Sequence, residues 1–366
     1  MENFVPGCSK AKVLHVISHM EKGGAERQMM LLTKNSKHNH VILVLDGNER
    51  PTEVRVELLS SLRNPISVMR FAREVIRHHR IDTVQLWLPD RMTVPAMIAA
   101  KREGCSIISS DRRKVRNFGM GAFRDRVPYI NHVVSDIVIP NYPYLPPKLS
   151  LRRLLRIPRK VHPILNGLAP DFRRPDLASR PDRLLFVGRL VSQKRVVELI
   201  DTLPRLIEKA GVTGLDIVGE GPLEEACRDR IAILGLAKRV TLHGRLSDWG
   251  ELFSPSKNLL ILPSTSEGMS NTLFEAIACG FLPLVSQSPE LDIILEGWER
   301  KPEMFDPWKT DTIVAAVTRA MKFDTEEIHD RVNVMQSRLA EFSVAKMASR
   351  YDDVYDELMM TKQRPK

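Results

Sequence analysis

Pro263-Ser-Thr-Ser-Glu267-Gly-Met-Ser-Asn-Thr-Leu-Phe-Glu275-Ala-Ile-Ala-Cys-Gly280 is the stretch on which the reading of this chain turns. It follows an apolar run, Asn258 to Leu262, with the length and composition of a buried parallel strand. Glu267 falls in the turn behind that strand, and a helix is expected to open after Gly268 with Glu275 inside it. Along that helix the two acids are about two turns apart and can face one cleft. The N–H groups from Gly268 through Met269, Ser270 and Asn271 to Thr272 lie at the helix start, where they have no intrahelical acceptor and form an anion site. Two acceptors of hydroxyl hydrogen bonds flanking a phosphate cradle suit a sugar joined through a diphosphate to a nucleoside.

The elements around this stretch alternate. Lys12 to Ser18 reads as a strand, Gly23-Gly24 as the turn after it, and the segment through Leu32 as a helix. Further strands are expected at Val41–Leu45, Thr83–Leu88, Ser106–Ser109 and Val133–Ile139, with helices at Val68–His79 and Thr93–Lys101. A Pro- and Arg-rich interval, Pro140 to Pro163, interrupts the pattern, and Val161–Gly167 closes the first half. The second half restarts with a strand at Arg183–Gly188 and a helix at Val196–Ala210. Strands are expected at Leu215–Gly219, Arg239–His243, Asn258–Leu262 and Phe281–Val285. The tail, Ser343 to Met359, carries Val344, Met347, Tyr351, Val354, Tyr355 and Leu358 on one side. Strands alternating with helices imply parallel, doubly wound sheets.

Two more motifs sit at strand ends. Gly188-Arg189-Leu-Val-Ser-Gln-Lys194 places two cations where a helix begins, a position the helix dipole disfavours unless an anion joins them. Gly219-Glu-Gly-Pro222 and His243-Gly-Arg245-Leu246 follow the next two strands. There is neither a G-x-G-x-x-G nor a Walker A pattern, so dehydrogenase and phosphoryl-transfer readings lack support.

The Glu267–Glu275 segment, with the G-R-L-x-x-x-K element and the G-x-G-P element, resembles glycosyltransferase family 4, the retaining enzymes of GT-B fold, of the bacterial polysaccharide or lipid-linked glycan type. The resemblance implies an α/β fold with two Rossmann-like domains facing a cleft and a C-terminal helix crossing back to the N-domain. The implied boundaries are 1–165 for an acceptor domain, 166–342 for a nucleotide-sugar donor domain, and 343–366 for the returning helix. It also implies that Glu267 contacts the transferred sugar and Glu275 the ribose diol. Arg189 and Lys194 would hold the diphosphate, Gly188, Arg245 and Gly268–Thr272 would border the donor, and Gly23-Gly24 would face it. Neither a cofactor nor a metal is implied; the donor would be a UDP- or GDP-linked sugar. Many family members carry a histidine after the fourth N-domain strand, where this chain reads Ser109-Ser-Asp111-Arg112-Arg-Lys114. That role is not transferable, and Asp90, Asp111 and Arg112 are the acceptor-side candidates. His243 is expected to be a partly packed structural residue, and Asp352-Asp353 in the tail to be solvated.

The chain has 366 residues and a net charge of +10, unevenly placed. Residues 1–165 hold 28 Lys and Arg against 14 Asp and Glu, and the remainder is mildly acidic. A basic half attracts an anionic membrane surface, an anionic lipid-linked acceptor or nucleic acid; aromatic residues do not interleave its basic clusters, which weakens the last. Those clusters are Arg112-Arg-Lys114 with Arg116, and Arg152-Arg153 with Arg156, Arg159 and Lys160. The four cysteines include no C-x-x-C pair, and no apolar run reaches the length of a spanning helix. With no leader-like N-terminus, the expected location is cytoplasmic, peripheral at the inner face of the plasma membrane. The leading reading is a retaining, metal-independent transfer of a sugar to a hydroxyl of a glycan or polyprenyl-diphosphate-linked acceptor. A sugar-nucleotide epimerase, a soluble-acceptor transferase and a basic nucleic-acid-binding protein remain as alternatives.

Overall fold

The computed structural model describes residues 10–20, 23–46, 56–58, 64–111, 134–142, 160–168, 179–265, 267 and 269–363. The chain divides into two compact units, Met1–Gly167 with Val344–Lys366, and Leu168–Ser343.

The first unit is built on a seven-stranded parallel sheet. Its strands are β1 (Lys12–His19), β2 (Asn39–Asp46), β3 (Val56–Leu58), β4 (Thr83–Trp87), β5 (Ser106–Asp111), β6 (Ile137–Pro140) and β7 (Lys160–Val161), in the order β3-β2-β1-β4-β5-β6-β7. Side chains alternate across each strand. Val13 and Ile17 of β1 therefore enter one apolar cluster, while Leu14 and Val16 enter the other. The first cluster is covered by the helices Gly24–Asn35 and Val344–Gln363, the second by Pro65–His79 and Val94–Arg102. Asn64 starts the third of these helices: its side chain accepts from the Ile66 N–H at 3.0 Å, with Pro65 as the first helical residue.

The C-terminal helix belongs to the first unit, and all six apolar tail residues named from the sequence are buried there. Asp352 departs from its expected solvation. It is 7% exposed, hydrogen-bonds the Ser36 hydroxyl and accepts from the Lys37 N–H at 3.1 Å. It thus closes off the end of the helix Gly24–Asn35, while Asp353 stays exposed.

The second unit carries a six-stranded parallel sheet. Its strands are β8 (Arg183–Val187), β9 (Gly214–Val218), β10 (Val240–Leu242), β11 (Asn258–Leu262), β12 (Pro283–Ser286) and β13 (Glu303–Phe305), in the order β10-β9-β8-β11-β12-β13. Asp216 on β9 joins three strands: Arg183 of β8 grips it through two hydrogen bonds of 3.0 and 3.1 Å, and Asn258 of β11 donates at 3.1 Å. Burial pushes its carboxyl pKa up, but the bonds from Arg183, His243 and Asn258 outweigh burial and hold it below the usual range. His243, 3.1 Å from Asp216 and edge-on to Phe253, is partly packed, with its side chain 29% exposed.

Two expected strands start two or more residues later than read. β6 starts at Ile137 because Asp136 exchanges hydrogen bonds with Ile107: its N–H donates to the Ile107 carbonyl, and its side chain accepts the Ile107 N–H, both at 2.8 Å. β12 starts at Pro283 because the Phe281 N–H bonds back to Ala276 at 2.9 Å, across a left-handed Gly280.

The loops after β8, β9 and β10 are fastened by main-chain bonds. Gly188 donates to Val218 at 2.9 Å, Gly219 to Gly244 at 2.7 Å, Leu190 to Glu220 at 2.9 Å and Leu223 to Leu190 at 3.0 Å. At Gly219, φ is 143°, and a Cβ would lie 1.9 Å from the Gly188 carbonyl oxygen. At Gly221 it would lie 2.5 Å from the Leu190 oxygen. The glycines of the G-x-G-P element thus let two loops touch main chain to main chain. Gly188 needs no such relief, since its Cβ would meet nothing nearer than the Phe186 ring at 3.5 Å.

A buried polar chain crosses the first unit. The Trp87 indole N–H donates to His15 Nδ1 at 2.9 Å, and His15 Nε2 is 2.8 Å from His40 Nδ1. Indole can only donate, so His15 carries its proton on Nε2 and passes the bond to His40. Burial depresses the His15 pKa well below its ordinary value, and the neighbouring His40 adds to the effect. Burial, with a smaller contribution from His38, lowers His40 to about 4. Both are neutral in the native state, whereas the unfolded chain takes up protons below about pH 6.5. Stability is therefore complete above that pH and falls as the pH drops from about 6.5 towards 4, by up to about 1.4 kcal/mol per pH unit for each histidine. Thermal unfolding at pH 7.5, 6.0 and 5.0 should show this fall, and His40→Gln should lessen it. A midpoint that holds steady from pH 7.5 to 5.0 would contradict the assignment.

Candidate active site

In the second unit the strand order reverses between β8 and β11. Open parallel sheets bind ligands beyond the carboxyl ends of strands at such a point. The loop leaving β8 carries Gly188, an exposed Arg189 and a buried Leu190, then a tight turn at Ser192–Lys194. Arg195 follows with a φ of 53°, and the helix Val196–Ala210 begins. The loop leaving β11 carries Ser264, Thr265 and Glu267. The two loops are tied together. The Thr265 N–H donates to the Gln193 carbonyl at 2.9 Å, and Lys194 forms an ion pair with Glu267. Both charged side chains are largely buried, with exposures of 18% and 26%.

The helix expected after Gly268 begins at Asn271, with Ser270 as its extended N-cap. Glu267 therefore precedes the helix by a short loop and is not spaced from Glu275 along it. Ser266 and Gly268 lie outside the described residues. The Ser270 side chain makes no capping bond, so the first N–H groups of the helix receive nothing from it. Met269 and Ser270 are buried, and Asn271, Thr272 and Glu275 are half-buried. Glu275 stands in the second turn, with its partly exposed face set by the burial of Leu273, Phe274, Ala276 and Ile277 behind it.

The helix is firmly seated. Phe274 packs on Phe342 with ring centroids 4.8 Å apart, and the Gln336 amide donates to the Ile277 and Ala278 carbonyls at 2.8 and 3.2 Å. Arg245 is exposed just beyond Gly244, whose carbonyl holds Gly219. Arg189, Lys194, Glu267, Met269–Thr272, Glu275 and Arg245 thus all border the carboxyl ends of this one sheet. Thr265 and Gln193 carry no sequence signal: Gln193 accepts through its main-chain carbonyl, from the Thr265 N–H and, at 3.3 Å, from the Thr265 hydroxyl.

The remaining candidates belong to the first unit, whose strand order reverses between β1 and β4. Gly23 is the extended N-cap of its helix, with Gly24 the first helical residue. The Glu26 carboxylate lies 2.5 Å from where a Gly23 Cβ would be, so the first-turn acid covers that corner. Asp90 accepts from the Ser18 hydroxyl at 2.8 Å and from the Met92 and Thr93 N–H groups at 2.8 and 3.2 Å. It closes the turn into the helix Val94–Arg102. Leu88 before it holds a φ of 48°, an uncommon strain for a bulky residue. Asp111 ends β5, with its side chain outside the described residues, as is the whole of Arg112.

Residues 170–332 match the family model of the glycosyl transferases group 1. A capsular polysaccharide biosynthesis glycosyltransferase, CapH of Staphylococcus aureus, is 18% identical over 92% of this chain and 99% of its own. An uncharacterized glycosyltransferase of Methanocaldococcus jannaschii is 29% identical, over 35% of this chain and 36% of its own length. Among solved structures, Anabaena HepE in complex with UDP and glucose superposes with a TM-score of 0.75 at 16% identity, covering 95% of this chain and 100% of that one. The lipopolysaccharide outer core galactosyltransferase WaaB gives 0.69 at 18% identity, over 96% and 99%. The chain thus has the GT-B fold of two Rossmann-like domains, and it is a transferase related to the group 1 glycosyltransferases, whose pattern its second half carries.

Proposed function

We propose that the chain moves a sugar, with retention at the anomeric carbon, from a nucleoside-diphosphate sugar to a hydroxyl of a glycan or lipid-linked acceptor. The observation that carries this reading is the meeting of Lys194 and Glu267 at the switch point of the second sheet, beside a helix start that leads to Glu275. Each group has a task matched to its chemistry. Arg189 and Lys194 supply positive charge to the diphosphate, and the N-terminus of Asn271–Ala278 adds its dipole. Glu275 accepts from the ribose hydroxyls. Glu267 accepts from the sugar hydroxyls once the diphosphate has drawn Lys194 away from it. As the bond between the anomeric carbon and the phosphate oxygen breaks, the acceptor oxygen bonds to that carbon from the same face. Its proton passes to the departing phosphate oxygen.

The ligand and assembly named for the relatives support a UDP-linked donor and a role in bacterial surface-glycan assembly. The excess of 28 basic over 14 acidic residues in 1–165 supports an anionic acceptor at a membrane face. The basic residues at 112–116 and 152–159 lie outside the described residues, as does the side chain of Lys160. Among the described residues, no helix is long and apolar enough to cross a membrane.

Glu275→Ala should weaken binding of the donor and of the free nucleoside diphosphate alike, by roughly 1.5–3 kcal/mol, the value of a hydrogen bond to a charged acceptor. Titration calorimetry reads this, and unchanged affinity in a folded variant would remove Glu275 from the ribose.

Arg189→Ala should lower turnover far more than thermal stability, because its charge acts on a leaving group whose negative charge grows in the transition state. EDTA should leave wild-type turnover largely intact. Activity abolished by EDTA and restored by manganese or magnesium would reject the metal-free scheme. Two cations and a helix start support that scheme, and among the described residues no group of three or more His, Cys, Asp or Glu is placed to hold a metal.

In flotation, the protein should rise with anionic vesicles and not with neutral ones, less so at high salt. Charge reversal at Arg152, Arg153 and Arg156 that changes nothing would sink the membrane reading alone.

A further inference from the structure

Ser264 holds a hydroxyl for which the fold has no partner. The residue is 4% exposed, and its Oγ makes no hydrogen bond. Buried hydroxyls are nearly always bonded, since an unpaired one gives up its water contacts without return. Nearby serines obey that rule: Ser286 donates to the Leu262 carbonyl at 3.1 Å, and Ser288 accepts from the Leu291 N–H at 3.2 Å.

Ser264 lines a small pocket of about 20 Å³. Glu267 and Ser270 form part of its wall, and Leu262, Leu273, Val285 and Leu291 make much of the rest apolar. That volume admits a group about the size of one water molecule. A phosphate or a nucleobase is too large, and a charge would meet apolar walls at high cost. What fits is a single neutral hydroxyl, able to donate and to accept. The pocket shares Glu267 with the donor site.

We propose that this pocket is a sugar subsite that takes one hydroxyl, or the oxygen of a hydroxymethyl, of the transferred sugar, with Ser264 as its specificity-determining hydrogen-bond partner. The proposal rests on the transferase reading above and deepens it. A site built to bond a hydroxyl discriminates against the analogue that lacks it, because its own polar group is then left unpaired. Ser264 thus selects among donors that share one nucleotide and differ at one sugar position. A trapped water would satisfy the same hydroxyl chemistry, so the test separates the two.

Wild type and Ser264→Ala are titrated with the nucleotide sugar that wild type accepts, with its nucleoside diphosphate, and with donors each lacking one sugar hydroxyl. Ser264→Ala should bind the nucleotide sugar about tenfold more weakly, the factor that corresponds to about 1.4 kcal/mol. Its affinity for the nucleoside diphosphate should not change. One deoxy donor should bind wild type about tenfold more weakly than its parent, and this difference should vanish in Ser264→Ala, as coupled partners require. The unliganded variant should melt no lower than wild type, since it loses an unpaired polar atom. If the variant binds every donor as wild type does, the pocket holds only water; the subsite is overturned and the transferase reading stands. If wild type binds neither nucleotide sugars nor nucleoside diphosphates, that reading fails and the subsite with it. The deoxy-donor series on wild type needs no variant: equal affinity for all of them refutes the proposal by itself.

Discussion

Gly219 has no room for a side chain, and the candidate site depends on that fact. With its φ of 143° and the Gly188 carbonyl occupying the space of its Cβ, the loops after β8 and β9 pass at main-chain contact distance. Only at that distance can Leu190 bond Glu220 and Gly219 bond Gly244. Those bonds fix where Arg189 leaves the sheet and where the turn Ser192–Lys194 lies. The turn in turn holds the loop after β11, through Gln193 and Lys194. A site on loops gains precision when each loop is braced by its neighbour's backbone. Here the brace runs across four adjacent strands, β10, β9, β8 and β11; between the loops after β10, β9 and β8 it is made of main chain, and to the loop after β11 the Lys194–Glu267 pair is added.

The sheet strands were legible because both faces of each sheet are covered. Val41–Leu45, Leu184–Val187 and Leu259–Leu262 read as continuous apolar runs, as strands buried on both sides must. The polar-faced helices were less visible: Glu224–Ile233 and Thr325–Arg338 bury only a few side chains each, so their apolar period is thin. The edge strands β3 and β13, three residues each and each holding a glutamate, show no apolar run. In the site, the charged residue types Arg189, Lys194, Glu267 and Glu275 could be read directly, and the roles proposed for them follow from their chemistry. The helix start was misplaced by two residues because Met269 and Ser270, apolar and small, fit a first helical turn as well as the buried loop they occupy. Ser264 gave no signal at all. A serine after a strand is unremarkable until its burial without a partner is seen.

The first unit shows how a local pattern misleads when tertiary packing overrides it. Asp352 lies on a helix whose apolar face is plain, and an acid beside that face reads as solvated. The C-terminal helix, however, runs past the end of the helix Gly24–Asn35, where Ser36 and Lys37 offer a hydroxyl and an N–H. Asp352 meets them there, and Asp356 pairs with Lys37. The same helix brings Tyr355 to Gln85 and Tyr351 to Trp87 on the sheet. Polar atoms buried in this way fix the register of the helix against the sheet more narrowly than apolar contacts, which tolerate sliding.

The two units place different chemistry at the same topological position. At the reversal between β1 and β4, Asp90 is spent on a hydroxyl and two main-chain N–H groups, which hold the carboxylate in place and serve the turn. At the reversal between β8 and β11, Glu267 faces the end of a lysine side chain. An ion pair of this kind can be exchanged, since a diphosphate offers Lys194 more negative charge than one carboxylate does, and Glu267 is then released to accept hydroxyls. A carboxylate held by main-chain N–H groups has no comparable exchange open to it, because the turn would lose its closure. The difference in partners explains why one acid suits a structural role and the other a ligand. In the proposed reaction it also suits the placement of the Lys194–Glu267 pair behind a braced turn, where the partners would part and rejoin without the loops that carry them moving.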